Sequence, residues 1–173
     1  MIKPELQKLN QTSGLVYLYI LDATNYDAGV FRFTPNVDGN GGNVSFNGVP
    51  YIGIPMAVSG WDVASAGSPP KPTVTVANVN KYMLSTIIAN KHLIGATFTR
   101  ICTFAKFLDG GSDEDGSQFL PPSTYVIEQL TSNDDVQITW QLTSIIDRMG
   151  MRIPRRQINK DKGFPGVSRN RVR

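Results

Sequence analysis

Val136–Thr143 reads VQITWQLT and alternates apolar with polar side chains through four consecutive pairs. Side chains along a strand point alternately to its two faces, so Ile138, Trp140 and Leu142 share one face with Val136. An apolar face opposite a polar one is typical of a strand packed on a core on one side only. Residues 136–146 are therefore predicted to form a half-buried strand, with Trp140 most simply a core anchor.

Other segments carry strand signals of the same kind, namely short runs of β-branched, aromatic or alternating residues bounded by turn-formers. Asn47-Gly48 is the strongest short signal of a tight hairpin turn. Pro50, just after it, suggests an edge strand or an early strand end. The predicted strands lie at residues 15–22 (buried on both faces), 30–34, 44–46, 49–52, 56–64 (with Trp61 at its centre), 73–76, 96–108 and 125–130.

One helix is predicted between strands, over about residues 79–93. Met83, Leu84, Ile87 and Ile88 recur at helical spacing, and Gly95 is well placed to follow the helix end. About eight strands and one inserted helix add up to a mainly β fold. The expected architecture is an antiparallel β-barrel or sandwich with long polar loops.

Length and composition bound the classes of protein. A chain of 173 residues, 40% hydrophobic, suits one domain with a sizeable core. No stretch approaches the roughly 20 apolar residues of a membrane span, and MIKPELQKLN has no signal-peptide core, so we expect cytoplasmic synthesis and no stable membrane association. Cys102 is the single cysteine, which excludes an internal disulfide and a cysteine-based zinc or iron–sulfur site.

Charge divides the chain into an acidic body and a basic arm. Residues 1–147 have a net charge of −5 and residues 148–173 a net charge of +8. We therefore assign a β-rich domain to 1–147 and a C-terminal arm to 148–173, which is either free or ordered against an acidic partner surface. Base stacking finds little support there. The candidate partner-contact residues are Arg148, Arg152, Arg155, Arg156, Lys160, Lys162, Phe164 and Arg169.

Three features that could carry chemistry have simpler structural interpretations. The acidic run DGGSDEDGS from Asp109 fails the calcium-loop template at both ends and is better explained as a solvated loop. His92 has no nucleophile motif near it and suits a helix end. Cys102 lies in a predicted strand, where a small packed side chain is the simpler interpretation. No catalytic, cofactor or metal residues are assigned.

Two segments carry a characteristic order of motifs. Residues 55–109 contain a Ser59-Gly60-aromatic step, the strand PTVTVAN at 72–78, a helix running to Leu93-Ile-Gly95, and a strand headed by Arg100 and ending at Asp109. Residues 123–156 contain a strand with Ile127-Glu128, a last strand and the Ile153–Arg156 segment, and Phe164–Gly166 follows. In this order the elements resemble the phage minor tail protein L family over nearly the whole chain, which implies a tail-hub-like ring domain.

The resemblance implies a structural, non-enzymatic component of the virion's distal tail tip. Such proteins form a ring, thought to be trimeric, that joins the distal tail protein to the central receptor-binding fibre or hub protein. The ring continues the channel through which DNA passes, with the tape measure protein as a further neighbour. Typical members continue into a four-cysteine domain that resembles an iron–sulfur site. No cysteine follows Cys102 here, so we expect no such cluster.

Other classes of function make different predictions. A carbohydrate- or receptor-binding β-module would expose aromatic side chains on one face. A cell-wall hydrolase would pair a nucleophile with His92. A nucleic-acid binder acting through residues 148–173 would lose affinity steeply with salt.

Overall fold

The computed structural model describes residues 13–36, 42–61, 70–77, 91–134 and 136–147. Within these ranges the fold is mainly β, and the chain forms nine strands that belong to one mixed sheet. The strands are β1 Leu15–Asp22, β2 Val30–Thr34, β3 Val44–Phe46, β4 Val49–Gly53, β5 Met56–Ser59, β6 Thr73–Ala77, β7 Thr97–Phe104, β8 Ser123–Asn133 and β9 Gln137–Thr143.

The strand order is β3-β4-β2-β1-β7-β8-β9-β6-β5, and every neighbouring pair is antiparallel except β2 and β4. Only Ile54 and Pro55 separate β4 from β5. The Ile54 N–H donates to Thr34 at 3.0 Å, and the Pro55 carbonyl accepts from the Ala77 N–H at 2.9 Å. One continuous chain thus pairs with β2 on one side and β6 on the other. The sheet therefore closes into a barrel, and β3 extends it as a flap.

Most of the predicted strands are confirmed. β1, β2 and β3 have the predicted bounds, and β4 and β6 each run one residue longer than predicted. Pro50 pairs only with Ser45 of β3 and precedes Ile52, where pairing with β2 starts, so its missing N–H interrupts no ladder. β8 is longer than expected because register irregularities between Ile127 and Gln129, and between Leu130 and Ser132, let it bend along β9.

Three predicted boundaries were wrong. The strand at 56–64 ends at Ser59, because Gly60 has φ +69° and turns the chain before Trp61. The strand at 96–108 ends at Phe104, where a 3-10 turn over Ala105–Phe107 begins. Val136 is 76% exposed and precedes β9, which begins at Gln137 and ends at Thr143.

The helix predicted over about 79–93 lies almost wholly outside the described residues. Of that range the structure describes 91–93, a 3-10 turn in which His92 and Leu93 have positive φ. No membrane-spanning helix is found in the described parts of the chain.

An inner core fills the barrel, and its largest fully buried side chains include Trp140, Phe33, Phe98 and Leu142. Trp140, Ile138 and Leu142 of β9 are all completely buried, as the alternation predicts. On the opposite face of the sheet, Thr75 and Thr139 pair their hydroxyls across β6 and β9 at 3.1 Å. Apolar side chains face inward and hydroxyls outward, so the alternation of residue types in the sequence predicts which face of each strand lies inside the barrel.

An outer core lies beneath the β3–β4 hairpin. Val16 and Leu18 of β1 pack there against Val44, Phe46 and Tyr51, while Tyr19 and Leu21 point into the barrel. β1 is therefore buried on both faces, which explains its nearly continuous apolar sequence.

The two ends of the barrel differ. Where β1 ends and β7 begins, the buried Leu93, Ala96 and Ala23 close the inner core, and the Tyr26 hydroxyl donates to the Ile94 carbonyl. At the opposite end β1 starts and β2 and β5 finish. That second end carries the pocket described below.

Candidate functional site

The eight candidate contact residues of the basic arm, from Arg148 to Arg169, lie outside the described residues. The division into a domain at 1–147 and an arm at 148–173 likewise stays a prediction. The candidate surfaces described here belong to the barrel.

The residues weighed as catalytic or metal-binding candidates do not form a cluster. In the described parts of the chain, no group of three His, Cys, Asp or Glu side chains could hold a metal ion. His92 is exposed on the 3-10 turn before β7. Cys102 is buried, and burial raises the pKa of its thiol, which lowers the thiolate population at neutral pH. One buried thiol does not fit an iron–sulfur cluster, which takes four such ligands.

The acidic loop after β7 is tied to the β3–β4 hairpin through Asp109. Its carboxylate accepts hydrogen bonds from Ser45 Oγ at 2.6 Å and from the N–H groups of Asn47 and Gly48, both at 2.8 Å. These bonds, that from Ser45 above all, hold the Asp109 pKa below its ordinary value. A Cβ on Gly116 would lie 2.7 Å from Asn47 Oδ1, so the two loops touch closely.

The remaining carboxylates of this loop also serve the loop itself. Asp115 accepts from Ser117 and Gln118, and Glu114 accepts from the Gly110 N–H. Asp113 lies 3.5 Å from the Lys106 ammonium. We call Ser45–Gly48 together with Asp109–Gln118 the loop platform. It is a set of internally bonded acidic turns, which agrees with a surface loop rather than a calcium site.

The loop platform also covers the outer face of β7. Thr103 points to that face, yet it is fully buried, and its hydroxyl donates to the Gln118 carbonyl at 2.6 Å. Gln118 is thereby held against β7. These hydrogen bonds hold the platform against the barrel surface.

A pocket of about 300 Å³ opens at the end of the barrel where β1 starts. We call it the mouth pocket. Its lining residues are Tyr17, Tyr19, Ser59, Trp61 and Arg100, which carry polar groups, together with Pro35, Met56, Val58 and Gly60. The Arg100 guanidinium carbon lies 4.6 Å from the Trp61 ring centroid and 5.6 Å from that of Tyr17. Such cation–π contacts replace part of the hydration that a half-buried cation loses.

Packing positions the pocket's aromatic side chains. Trp61 is 7% exposed and meets Tyr125 edge-on at 4.8 Å between ring centroids, with Tyr19 and Phe98 also beside it. Burial raises the pKa of Tyr19 to about 12, against a smaller lowering by the Arg100 charge. The Tyr19 hydroxyl therefore stays protonated, and remains a donor, throughout the physiological range.

The sequence analysis missed the mouth pocket, although one signal for it was present. Arg100 occupies a position in β7 that points the same way as Phe98, Cys102 and Phe104. A charged side chain on an otherwise apolar face indicates a site where other groups offset its lost hydration. That the partners are aromatic rings from β1 and from the turn after β5 follows from barrel closure, which the pattern of β7 alone does not encode.

The exposed apolar side chains show which residue types the protein surface presents. In the part of the chain that the structure describes, the large ones are aliphatic: Leu15, Val30, Ile52, Ile94, Val136, Ile145 and Ile146. The aromatic side chains of the described residues are at most partly exposed, and three of them line the mouth pocket.

Together the barrel, its loop platform and its mouth pocket define a mainly β module with surface loops and a pocket at one barrel end. The phage minor tail protein L family model matches residues 24–164 of this sequence. The chain belongs to that family, as the order of elements indicated, and it is a structural component of the phage virion tail.

Comparison with individual proteins agrees with this assignment. The chain is 25% identical over 151 residues to tail tip protein L of Escherichia phage lambda, and the aligned region covers 84% of this chain and 65% of that protein. It thus spans about two thirds of the relative's length. A solved chain from the virion of a native gene transfer agent particle superimposes with a TM-score of 0.56 and 14% identity over 87% of this chain and 46% of the other. That similarity concerns the fold.

Proposed function

We propose that this protein is a structural subunit of the tail tip, which assembles with copies of itself into a trimeric ring around the DNA channel. The observation that carries the proposal is the family match over residues 24–164, which takes in the barrel from β2 onward. The relative in phage lambda is named a tail tip protein. The ring would join the distal tail protein to the central fibre or hub protein, with the tape measure protein in contact.

The architecture supports a role in which the protein acts through contacts between subunit surfaces. Among the described strands only β3 and β5 keep a side without a paired strand, so little sheet edge is open to uncontrolled pairing and subunits meet through loops and barrel ends. The loop platform and the mouth pocket lie on different parts of the barrel surface and differ in charge. Unlike surfaces that meet head to tail generate closed rings when the rotation closes.

The basic arm supports a charge-directed contact in the same assembly. Residues 1–147 are net negative and residues 148–173 net positive. We propose that Arg148, Arg152, Arg155, Arg156, Lys160, Lys162, Phe164 and Arg169 contact an acidic partner surface, which opposite charges would steer and register. We also propose that this chain functions without enzymatic turnover and without a cofactor.

Electron cryomicroscopy of intact tails, resolved well enough to trace subunits, tests the proposal directly. We expect density for the barrel in a three-fold ring at the distal end, around the channel and next to the distal tail protein. Native mass spectrometry of disassembled tail tips supplies the copy number. Absence of the chain from purified virions, or its presence only as a monomer elsewhere in the particle, would overturn the proposal.

A further inference from the structure

The mouth pocket contains donors without acceptors. Among the described residues, the Arg100 guanidinium has aromatic rings as its neighbours, and no carboxylate lines the pocket. The Trp61 Nε1–H is buried and has no hydrogen-bond acceptor. Trp61 is more than nine-tenths buried, so water reaches this group poorly. A buried donor without an acceptor destabilises the folded protein, and a charged one does so more strongly.

We propose that the mouth pocket is a binding site for a carboxylate. A guanidinium stacked on a ring keeps its in-plane N–H groups free for a two-oxygen acceptor. Tyr17, Tyr19 and Trp61 line the same cavity, so the two hydroxyls and the indole N–H are the further candidate donors beside Arg100. A volume of about 300 Å³ lies at the lower end of ligand pockets, which fits a carboxyl group on a short apolar stem.

Charge favours a carboxylate over a phosphate. The lining supplies one formal positive charge, which neutralises a monoanion but leaves a phosphate dianion partly uncompensated. The apolar side chains of Pro35, Met56 and Val58 suit the stem of an acid rather than a second anionic group. The net charge of −5 on residues 1–147 also opposes the approach of polyanions.

Two sources could supply the carboxylate, namely an acidic side chain or chain end of a neighbouring tail subunit, and a free small acid. The first source rests on the proposed function, whereas carboxylate binding itself does not. The experiment therefore has one arm on the isolated full-length chain and one on assembled tails.

The first arm follows the two indole N–H signals of the full-length chain by ¹H–¹⁵N NMR during titration with sodium benzoate. Benzyl alcohol serves as the neutral probe of similar shape, and inorganic phosphate as the competing anion. Trp140 provides an internal reference, because its Nε1–H is also buried without an acceptor but does not line the pocket. Trp61→Phe and Trp140→Phe assign the signals.

We expect benzoate to shift the Trp61 signal saturably, with benzyl alcohol at least tenfold weaker and the Trp140 signal unmoved. Arg100→Gln should weaken benzoate binding by roughly tenfold or more, the loss typical of a hydrogen-bonded charge. Arg32→Gln, a control on β2 outside the pocket, should leave it unchanged. Should Arg100→Gln fold poorly by circular dichroism, Arg100→Lys keeps the charge, loses the fork and should also weaken binding.

No saturable Trp61 shift with benzoate, or an equal shift in Arg100→Gln, would mean that water alone solvates these donors and would overturn the proposal. Tighter binding of phosphate than of benzoate would overturn the choice of carboxylate. In the second arm, phage tails are built with Arg100→Gln or Arg32→Gln. Fewer copies of the Arg100 variant per tail assign the carboxylate to a neighbouring subunit, and equal incorporation assigns it to a free acid. Absence of the wild-type chain from tails refutes the proposed function but leaves benzoate binding intact.

Discussion

Asp109 connects two loops that are about 60 residues apart in the sequence. Its carboxylate takes one hydroxyl and two backbone N–H donors from the β3–β4 hairpin, and its own N–H donates to the Ser45 carbonyl at 3.1 Å. A carboxylate in such a ring of donors is stabilised in its ionised form. At the scale of residues, the acidic loop is therefore a structural clamp.

Asp109→Asn should lower the free energy of unfolding at pH 7 by about 1–3 kcal/mol, because an amide replaces a charged acceptor of three hydrogen bonds. The Asp109 pKa lies below its ordinary 3.8 in the folded state, so its stabilisation is present above that value and is lost as pH falls through the folded pKa. Urea denaturation of both proteins between pH 7 and pH 3 should show the difference shrinking in acid.

Asp147→Asn is the matched control, since Asp147 is exposed and its carboxyl has no hydrogen bond to the described residues. A loss of stability as large in this variant as in Asp109→Asn, or a difference that persists unchanged at pH 3, would contradict the clamp.

Trp140→Ala should cost about 3–5 kcal/mol, because the ring is completely buried in the inner core and its removal leaves a large cavity. Val136→Ala, just before the same strand, should change stability by less than about 0.5 kcal/mol, because Val136 is 76% exposed. Chemical denaturation measures both. A cost below about 1 kcal/mol for Trp140→Ala would show that the barrel collapses around the gap or that the ring lies elsewhere.

At the scale of elements, turn chemistry decides where strands meet. Asn47 and Gly48 have φ of +54° and +72°, the double left-handed conformation of a tight hairpin turn, which Asn-Gly adopts more readily than other pairs. Gly60 likewise ends β5 with a positive φ, and a Cβ there would touch the Lys71 carbonyl at 3.4 Å. The local sequence could therefore locate the hairpin, whereas the end of β5 needed knowledge of what it packs against.

Gly48→Ala should destabilise the protein by about 1–2 kcal/mol through its left-handed backbone alone, because a Cβ there would meet nothing within 4 Å. Gly14→Ala separates the two effects, since Gly14 is equally uncrowded but lacks a positive φ, and it should be neutral or slightly stabilising. Thermal unfolding compares the pair. Equal transition temperatures for the two variants would argue against backbone strain as the cause.

At the scale of the whole molecule, the barrel depends on two residues between β4 and β5. Because Ile54 bonds to Thr34 and Pro55 to Ala77, the first and last parts of the sheet share one stretch of chain. The only parallel pair among the described strands, β2 with β4, is a consequence of this closure.

Closure predicts slow amide exchange at Ile54 and Ala77. Both N–H groups should exchange at rates close to those of the central strand β1, because releasing them requires opening the barrel. The Val136 amide, in the exposed turn before β9, should exchange much faster. Hydrogen exchange followed by NMR measures all three. Fast exchange at Ile54 with protection retained in β1 would indicate an open sheet instead.

Deleting residues 152–173 should leave the barrel folded but weaken tail assembly, because the deletion removes most of the positive charge proposed to face an acidic partner. Circular dichroism reports the fold, and the number of copies per purified tail reports assembly. A variant with every arginine of this segment changed to lysine keeps the charge and should assemble at least partly. Normal yield of the truncated chain in tails would refute a role for the arm.

The sequence by itself determined the strands, their inward and outward faces, the Asn47-Gly48 hairpin and the family. Those features follow from local periodicity, turn chemistry and the order of motifs, all of which can be read directly along the sequence. Only the tertiary structure decided that the sheet closes through Ile54 and Pro55, that Asp109 clamps a distant hairpin, and that Arg100 shares a pocket with Trp61. Each of these contacts joins segments distant in the chain, and no local pattern specifies which distant partner a carboxylate, a guanidinium or a strand edge will meet.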